Sequence, residues 1–405
     1  MAARVVNVGL LGYGTVGSAV DRVLQRLAPA LERELGVSLR VVRALVRDTH
    51  KPRPHMPAEG VLTTDFSAIR DDPSIELVGE AMGGLDPAGH YVQELLAAGK
   101  AVASANKQLL AARGTELAGP GAAPLRFEAA VASAVPLVQL LTEALPHGAV
   151  ERISGVLNGT TTYMLTRLEE GAEFAEALAD AQAAGYAEAD PSDDLSGRDA
   201  AAKIALAATL AFGVRVGTQD VETSGIEGLA PADVEAAREL GLRLRLVAEA
   251  SYDDGALAVR VGPTLLPEEH PLAEVSGAGN HIVLEGPEIG ALTIAGPGAG
   301  GPETASAIVS DLLALLRGAP DQLSRLGAPR PERVAPPRRE PPLALRLSSG
   351  GAAGDRAADV LQARRSASGS VEYLLVENGR AALLPETLLA LAKDGVEARV
   401  LPVLR

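Results

Sequence analysis

The sequence predicts an α/β protein with two open sheets, the first of them parallel and nucleotide-binding, followed by a small α+β module. Three observations predict it. The continuous apolar run Val5–Leu11 feeds a glycine turn and a long amphipathic helix, as a central parallel strand does at the start of a βαβ unit. The β-like runs Ala256–Val261, His281–Glu285 and Ala291–Ala295 suggest a second open sheet with helices on one face. Residues 343–405 alternate β-like and helical patterns, at Leu343–Leu347, Val371–Val376, Glu386–Lys393 and Ala398–Leu404.

Composition bounds the function. At 405 residues and 47% apolar, two or three domains with sizeable cores are expected. No apolar run reaches the roughly 18 residues of a membrane span. The first residues run straight into a strand and turn, unlike a signal peptide. A net charge of −15 argues against binding nucleic acid through its phosphates. With no cysteine there is no disulfide, thiolate metal site or cysteine nucleophile. The six histidines have no metal-ligand spacing, so no zinc site is expected. The expectation is a soluble, cytoplasmic protein that binds neither nucleic acid nor membrane.

The first strand leads into Gly12-Tyr13-Gly14-Thr15-Val16-Gly17, and the helix after it reaches about Leu35. This is G-x-G-x-x-G in a strand–turn–helix context, the fingerprint of a Rossmann-type dinucleotide site. Gly12 permits the turn, Gly14 lets a pyrophosphate approach the backbone, and Gly17 lets helix and strand pack closely. The helix N-terminus offers N–H donors to phosphate. The alternative is a glycine-rich turn with no ligand.

The second strand, Leu39–Val46, ends at Arg47, with Asp48, Lys51 and Arg53 close behind. An arginine there accommodates a 2′-phosphate where a carboxylate would hold ribose hydroxyls. NADP is therefore expected, with NAD left open. Strand Leu77–Glu80 runs into Ala81-Met82-Gly83-Gly84, and Ala101–Ser104 runs into Ala105-Asn106-Lys107. Ligands bind at the carboxyl ends of parallel strands. Gly83, Ser104, Asn106 and Lys107 are therefore candidates, although Lys107 could simply cap the sheet edge.

Arg126-Phe127-Glu128 reads as a short strand before the small residues Ala129–Pro136. Backbone carbonyls could converge there, and a hard monovalent cation could sit on them and Glu128. A tight turn without an ion fits equally. Val150–Leu157 reads as a strand ending at Asn158-Gly159-Thr160-Thr161-Thr162, with a helix over about Tyr163–Gly185.

The stretch Ala187–Lys203 packs Glu188, Asp190, Asp193, Asp194 and Asp199 with one lysine. Pro191 and the Asp/Ser run favour turns. Ser196 is placed as an N-cap, with Asp199 three residues on as in a capping box. Lys203 lies four residues beyond Asp199, on the same helical face. An acidic loop beside an Asp/Lys face suits a ligand with an ammonium group and a carbonyl that needs a proton. A capped surface helix with a solvated ion pair is the alternative. The all-round apolar run after Lys203 makes the helix buried, which favours function. Farther on, the glycine-dense Gly296–Gly301 precedes an apolar helix, Thr304–Leu316, that could return to close the cofactor cleft. Residues 318–342, rich in Pro and Arg, read as a linker.

At this point the chain resembles the homoserine dehydrogenase family over most of residues 4–316. The family pattern around the acidic loop appears as Gly185-Tyr186-Ala-Glu188-Ala-Asp190-Pro191-Ser-Asp193-Asp194-Leu-Ser-Gly197-Arg-Asp199-Ala-Ala-Ala-Lys203. Supporting matches are the turn at 12–17, Ala105-Asn106-Lys107, Glu128-Ala129 with Val131 and Pro136, Leu157-Asn158-Gly159-Thr160, and Gly298-Ala299-Gly300. The resemblance implies an NAD(P)-binding domain over 1–130, closed by a helix at about 302–317. It implies a catalytic and dimerisation domain over 131–301, a linker over 318–342 and an ACT-like module over 343–405. It further implies reduction of L-aspartate 4-semialdehyde to L-homoserine by a homodimer or tetramer.

Lys203 and Lys107 match the catalytic lysines. Glu188, Asp194 and Asp199 match substrate ligands, with Gly159, Thr160 and Tyr186 at the pocket. The glycine turn, Arg47, Gly83, Ser104, Asn106, Lys107 and Gly300 would face the cofactor. Glu128, Val131, Ser133 and Val135 match the positions that often hold Na+ or K+. The chain departs from the pattern in three places. Ser133-Ala134-Val135 replaces paired glycines, Thr162 stands where Asn is usual, and the Asp-x-Pro-Gly turn of the regulatory module is absent, which makes that module degenerate.

The reaction expected is hydride transfer to the aldehyde carbon, with Lys203 as acid, directly or through a water, and Lys107 as electrostatic support. Semialdehyde oxidation to an acyl phosphate normally needs a thiolate, which a cysteine-free chain lacks. The alternatives are an NAD(P)-dependent oxidoreductase for another substrate and a non-catalytic nucleotide sensor. The five carboxylates argue against a sugar substrate, and a sensor would not need Lys203.

Overall fold

The computed structural model describes residues 3–117, 121–336, 343–348, 351–368, 371–376, 383–394 and 396–404. It divides into two compact units. The first comprises Met1–Glu151, Ala202–Asp220 and Gly296–Glu332, and the second Arg152–Ala201, Val221–Ala295 and Arg333–Arg405. No helix among the described residues is long and apolar enough to cross a membrane.

The first unit is built on β1 (Arg4–Leu11), β2 (Val37–Leu45), β3 (Leu62–Thr63), β4 (Ile75–Glu80), β5 (Ala101–Ser104) and β6 (Leu125–Arg126). They form one parallel sheet in the order β3-β2-β1-β4-β5-β6. The order reverses between β1 and β4, which is the topological switch point where such sheets bind dinucleotides. On β1, Val6, Val8 and Leu11 are fully buried, as a central parallel strand requires. The helix Thr15–Leu35 buries Val20, Val23, Leu24 and Leu31 against the sheet. It ends where Gly36, at φ +67°, donates its N–H to the Glu32 carbonyl, a left-handed C-cap that glycine adopts without strain. The helix Gly301–Leu316 also belongs to this unit and adds Ala305, Ile308, Val309 and Leu312 to the same core.

The second unit carries a seven-stranded sheet of β7 (Arg152–Val156), β8 (Glu222–Thr223), β9 (Leu242–Asp253), β10 (Ala256–Pro267), β11 (Gly279–Gly286), β12 (Gly290–Pro297) and β13 (Arg333–Val334). Its order is β12-β11-β7-β9-β10-β13, with β8 pairing on β10. β9 and β10 form a twelve-residue antiparallel hairpin closed by Asp254-Gly255, at φ +46° and +72°. Positive φ at both central residues is what this tight hairpin turn demands, and Asp-Gly supplies it. The single helix expected over Tyr163–Gly185 is two helices, Gly159–Glu169 and Phe174–Ala183, because Gly171 turns the chain at φ +90°. Arg245 on β9 is wholly buried. It donates to the carbonyls of Ala273 and Val275, both at 3.0 Å, and pairs with Glu169 at 2.6 Å.

The same unit ends in a four-stranded antiparallel sheet of β14 (Leu343–Leu347), β15 (Arg364–Ser368), β16 (Val371–Val376) and β17 (Ala398–Pro402), ordered β15-β16-β14-β17. Helices Gly351–Leu361 and Leu384–Lys393 interleave to give β-α-β-β-α-β, the split βαβ arrangement. This module docks on the helix Pro231–Glu239. There the fully buried Asp233 accepts a hydrogen bond from Tyr373 at 3.1 Å and a forked pair from Arg346, and it caps its own helix through the Ala230 N–H.

The Pro/Arg-rich stretch carries structure that its composition hides. Leu323–Leu326 is a helical turn with both leucines buried, and the Gln322 side-chain oxygen accepts the Phe127 N–H at 3.0 Å. β13 pairs in register with Ala256 and Leu257. Prolines prevent regular helix here but do not prevent side chains from anchoring the path. Residues 337–342 of the expected linker lie outside the described residues.

Candidate active site

The glycine turn is shaped as its spacing requires. Gly12 is at φ +95°, and a Cβ on Gly17 would stand 2.2 Å from the Gly12 carbonyl oxygen. Only glycine therefore lets the helix start so close to the strand. Gly14 caps the helix with nothing within 4 Å of a would-be Cβ, so a pyrophosphate could reach the N–H groups of Thr15 and Val16. Tyr13 is buried and donates its hydroxyl to Asp21 at 2.6 Å. Gly300, at φ +131°, precedes the returning helix, and a Cβ on Gly301 would meet Thr15 at 2.9 Å. At the end of β2, Arg47 is exposed and has no ion pair among the described residues. Arg53 donates to the carbonyls of Tyr13, Lys51 and Asp48, which folds the loop after β2 onto the glycine turn.

Farther along the same sheet edge, Gly83 and Gly84 turn at φ +72° and +73°. Ser104 and Asn106 are buried, and Lys107, half-buried, opens the helix Lys107–Leu117. Sequence reasoning missed Glu80, the fully buried residue on which these loops converge. Its carboxylate accepts the Ser104 hydroxyl at 2.6 Å and the Met82 N–H at 2.8 Å. Burial pushes this carboxyl above the usual range, while its donors, the Gly83 N–H and Asn106 amide among them, pull it down.

The acidic loop is organised by a second missed residue. Asn158 ends the segment after β7 and caps the helix Gly159–Glu169 by accepting the Thr161 N–H at 2.8 Å. Its amide then donates to Asp194 at 2.7 Å and to Asp199 at 2.9 Å. Two carboxylates separated in sequence from Asn158 by 36 and 41 residues are thereby held together. The Thr160 hydroxyl lies 2.7 Å from the Tyr186 carbonyl and 3.1 Å from Asp194. Asp199 and Lys203 sit one turn apart on the helix Arg198–Phe212, with 8% and 9% of their surface exposed. Glu188 is on the exposed part of the loop, where its backbone carbonyl accepts the Gln182 side-chain amide at 3.1 Å. The tilted ring of Tyr186 lies 5.0 Å from that of Tyr163.

Ser196 does not cap the helix that follows it. It ends a short helix, Ser192–Leu195, and its buried hydroxyl has no hydrogen-bond partner among the described residues. Gly197, at φ +84°, redirects the chain, and the next helix starts at Arg198. Asp199 therefore enters the site through its own geometry rather than through a capping box.

Glu128 opens a 3-10 turn, and its two carboxylate oxygens accept the N–H groups of Val138 and Gln139, each at 2.8 Å. Burial raises its pKa to about 7. Val131, Ser133 and Val135 are buried beside it in sequence. Ser133 takes a left-handed conformation at φ +55°, which a glycine would adopt without strain, and its hydroxyl lies 3.1 Å from that of Thr304. Each Glu128 oxygen keeps lone-pair capacity beyond its one N–H donor. Among the described residues no group of three His, Cys, Asp or Glu side chains could hold a metal ion.

The chain is similar to known proteins in both sequence and fold. Residues 136–313 match the family model described as homoserine dehydrogenase, and residues 12–121 match the one described as homoserine dehydrogenase, NAD binding domain. A homoserine dehydrogenase of Bacillus subtilis is 37% identical over 318 residues, covering 78% of this chain and 73% of that protein. One from Synechocystis is 43% identical over 317 residues, covering 76% and 72%. The crystal structure of a homoserine dehydrogenase from Thiobacillus denitrificans is similar with a TM-score of 0.86 at 32% identity, over 100% of this chain and 99% of that one. A hyperthermophilic archaeal homoserine dehydrogenase in complex with NADPH is similar with a TM-score of 0.66 at 25% identity, covering 78% and 99%.

Proposed function

The chain belongs to the homoserine dehydrogenase family, and from that premise we propose how its residues interconvert L-aspartate 4-semialdehyde and L-homoserine. One observation carries the reading: Asn158 holds Asp194 and Asp199 together, with Lys203 one helical turn beyond Asp199. Two adjacent carboxylates favour a bound cation, and the substrate's ammonium group supplies one. Asp199 and Asp194 hold that group, Glu188 joins from the exposed part of the loop, and Gly159, Thr160 and Tyr186 border the pocket.

The bound cofactor supplies a hydride to the aldehyde carbon. Lys203 meets the negative charge that develops on the aldehyde oxygen and donates the proton that completes the hydroxyl, directly or through a water. Lys107 adds positive charge. In the oxidative direction Lys203 takes the proton back as the hydride leaves.

The cofactor we assign is NADP, with NAD as the weaker partner. The exposed Arg47 at the end of β2 supports this, because a free guanidinium there matches a 2′-phosphate. We place a monovalent cation, Na+ or K+, on Glu128 and the carbonyls of Val131, Ser133 and Val135. The C-terminal split βαβ module is read as ACT-like without its regulatory turn. A homodimer, or a tetramer built from it, acting in the cytoplasm completes the reading. It draws on the family resemblance and the apolar richness of residues 130–165, and sedimentation as a monomer alone would refute the assembly.

The test is a rate measurement with L-homoserine and either NADP or NAD, at constant ionic strength, with Na+, K+ or a bulky organic cation. Faster turnover with NADP, stimulated by one small cation, is the expected result. Equal rates with both cofactors would overturn the Arg47 assignment, and indifference to the cation would overturn the Glu128 site.

A further inference from the structure

Glu80 has no part in the chemistry described so far, yet it is the most completely enclosed carboxylate at the carboxyl edge of the first sheet. It ends β4 with no exposed surface. Its side chain accepts the Met82 N–H at 2.8 Å and the Ser104 hydroxyl at 2.6 Å, and the Gly83 N–H and Asn106 amide also donate to it. Its backbone carbonyl accepts the Ala105 N–H at 2.9 Å. The network continues outward. Ser104 Oγ accepts the Asn106 N–H at 3.1 Å, and the Asn106 amide donates to the Gly84 carbonyl at 2.7 Å. The Asn106 side-chain oxygen accepts the Leu109 N–H at 3.1 Å, which caps the helix that begins at Lys107. One carboxylate thus joins the Gly83-Gly84 turn to the Ser104–Lys107 turn.

An apolar residue would end a buried strand at far lower cost, since burying a carboxylate is repaid only by well-placed donors. Here every donor comes from the two loops. The switch point lies between β1 and β4, so a dinucleotide crossing it sets its adenosine half over β1 and β2 and its other half over β4 and β5. We propose that Glu80 is a positioning residue for the nicotinamide half of the cofactor. Acting through Ser104 and Asn106, it holds the Gly83-Gly84 and Asn106-Lys107 backbone in the conformation that receives the nicotinamide end. This inference rests on the cofactor reading of those loops.

Two full-length variants test it, Glu80→Gln and Ser104→Ala, each compared with the parent for melting temperature, kcat, KM for L-homoserine, and affinity for NADPH and for adenosine 2′,5′-bisphosphate. Gln keeps the shape but turns an N–H pair toward loop donors, while Ala removes one link and leaves the other donors on Glu80. Loss of one such bond is worth about tenfold. NADPH affinity should fall by about tenfold in Glu80→Gln and by several-fold in Ser104→Ala. Affinity for the bisphosphate, which lacks nicotinamide, and KM for homoserine should stay within about twofold of the parent.

Equal loss for NADPH and the bisphosphate would mean a general structural role and overturn the proposal, as would folded variants that bind NADPH like the parent. If Glu80→Gln does not fold, the same comparison in Ser104→Ala decides. A parent that binds neither compound removes the cofactor reading itself, and the Glu80 role falls with it.

Discussion

At the residue scale, Asn158 explains why the acidic loop is more than a solvated surface. A neutral amide with two N–H groups can serve two carboxylates at once and adds no charge of its own. The pair is thus held together by a group that brings no charge of its own. Asn158→Ala should raise KM for L-homoserine by about tenfold or more, the worth of one lost hydrogen bond to a charged partner. KM for the cofactor should hold within about twofold, and steady-state kinetics with each substrate varied in turn reads both. The Asp199–Lys203 face was legible in the sequence because four residues on one helix fix a geometry. Asn158 was not, since its partners come from a different part of the chain and nothing local marks the approach. Glu80 escaped for a similar reason: a lone acid at the end of an apolar strand looks like an ordinary polar terminus. Ser196 misled because its local pattern fits a cap, whereas the hydroxyl is buried with no partner among the described residues and Gly197 makes the turn.

At the scale of elements, the glycine turn was readable because its demands are steric and local. A methyl group on Gly17 would meet the Gly12 carbonyl oxygen at 2.2 Å, too close for any real contact. Gly17→Ala must therefore shift the helix away from β1. The expected cost is roughly 1–3 kcal/mol of stability, together with at least about tenfold weaker NADPH binding because the phosphate-binding N–H groups move with the helix. Chemical denaturation and a fluorescence titration check the two effects, and unchanged values in both would show that the turn tolerates the methyl. Sequence periodicity handled β1 well but named no strand over Leu242–Asp253, where Arg245 is buried. It also ran one helix through Gly171, where positive φ breaks it into two.

At the scale of the whole molecule, the C-terminal module is fastened to the rest of its unit by the buried Asp233 with Arg346 and Tyr373. Removing one partner of a buried ion pair strands the other charge. Arg346→Met should therefore destabilise the second unit by about 3 kcal/mol or more, read as a lower denaturation midpoint, whereas a loss under about 1 kcal/mol would show that the contact is solvated in solution. The α/β class, the nucleotide-binding parallel sheet and the later sheet were visible in the sequence because strand and helix periods are local. The β-α-β-β-α-β order of the last module became clear only when its strands paired, because pairing order is a long-range property that periodicity does not encode.

The central claim, that Lys203 supplies the proton while the rest of the site binds, is tested most directly with Lys203→Ala. Reduction of L-aspartate 4-semialdehyde would be followed by the absorbance of NADPH, with NADPH affinity measured on the same preparation. A general acid contributes about 10²-fold or more, so turnover should fall by at least that factor while NADPH affinity stays at the parent value. Turnover within about threefold of the parent would contradict the account, because a proton donor worth about 10²-fold cannot be removed at so small a cost.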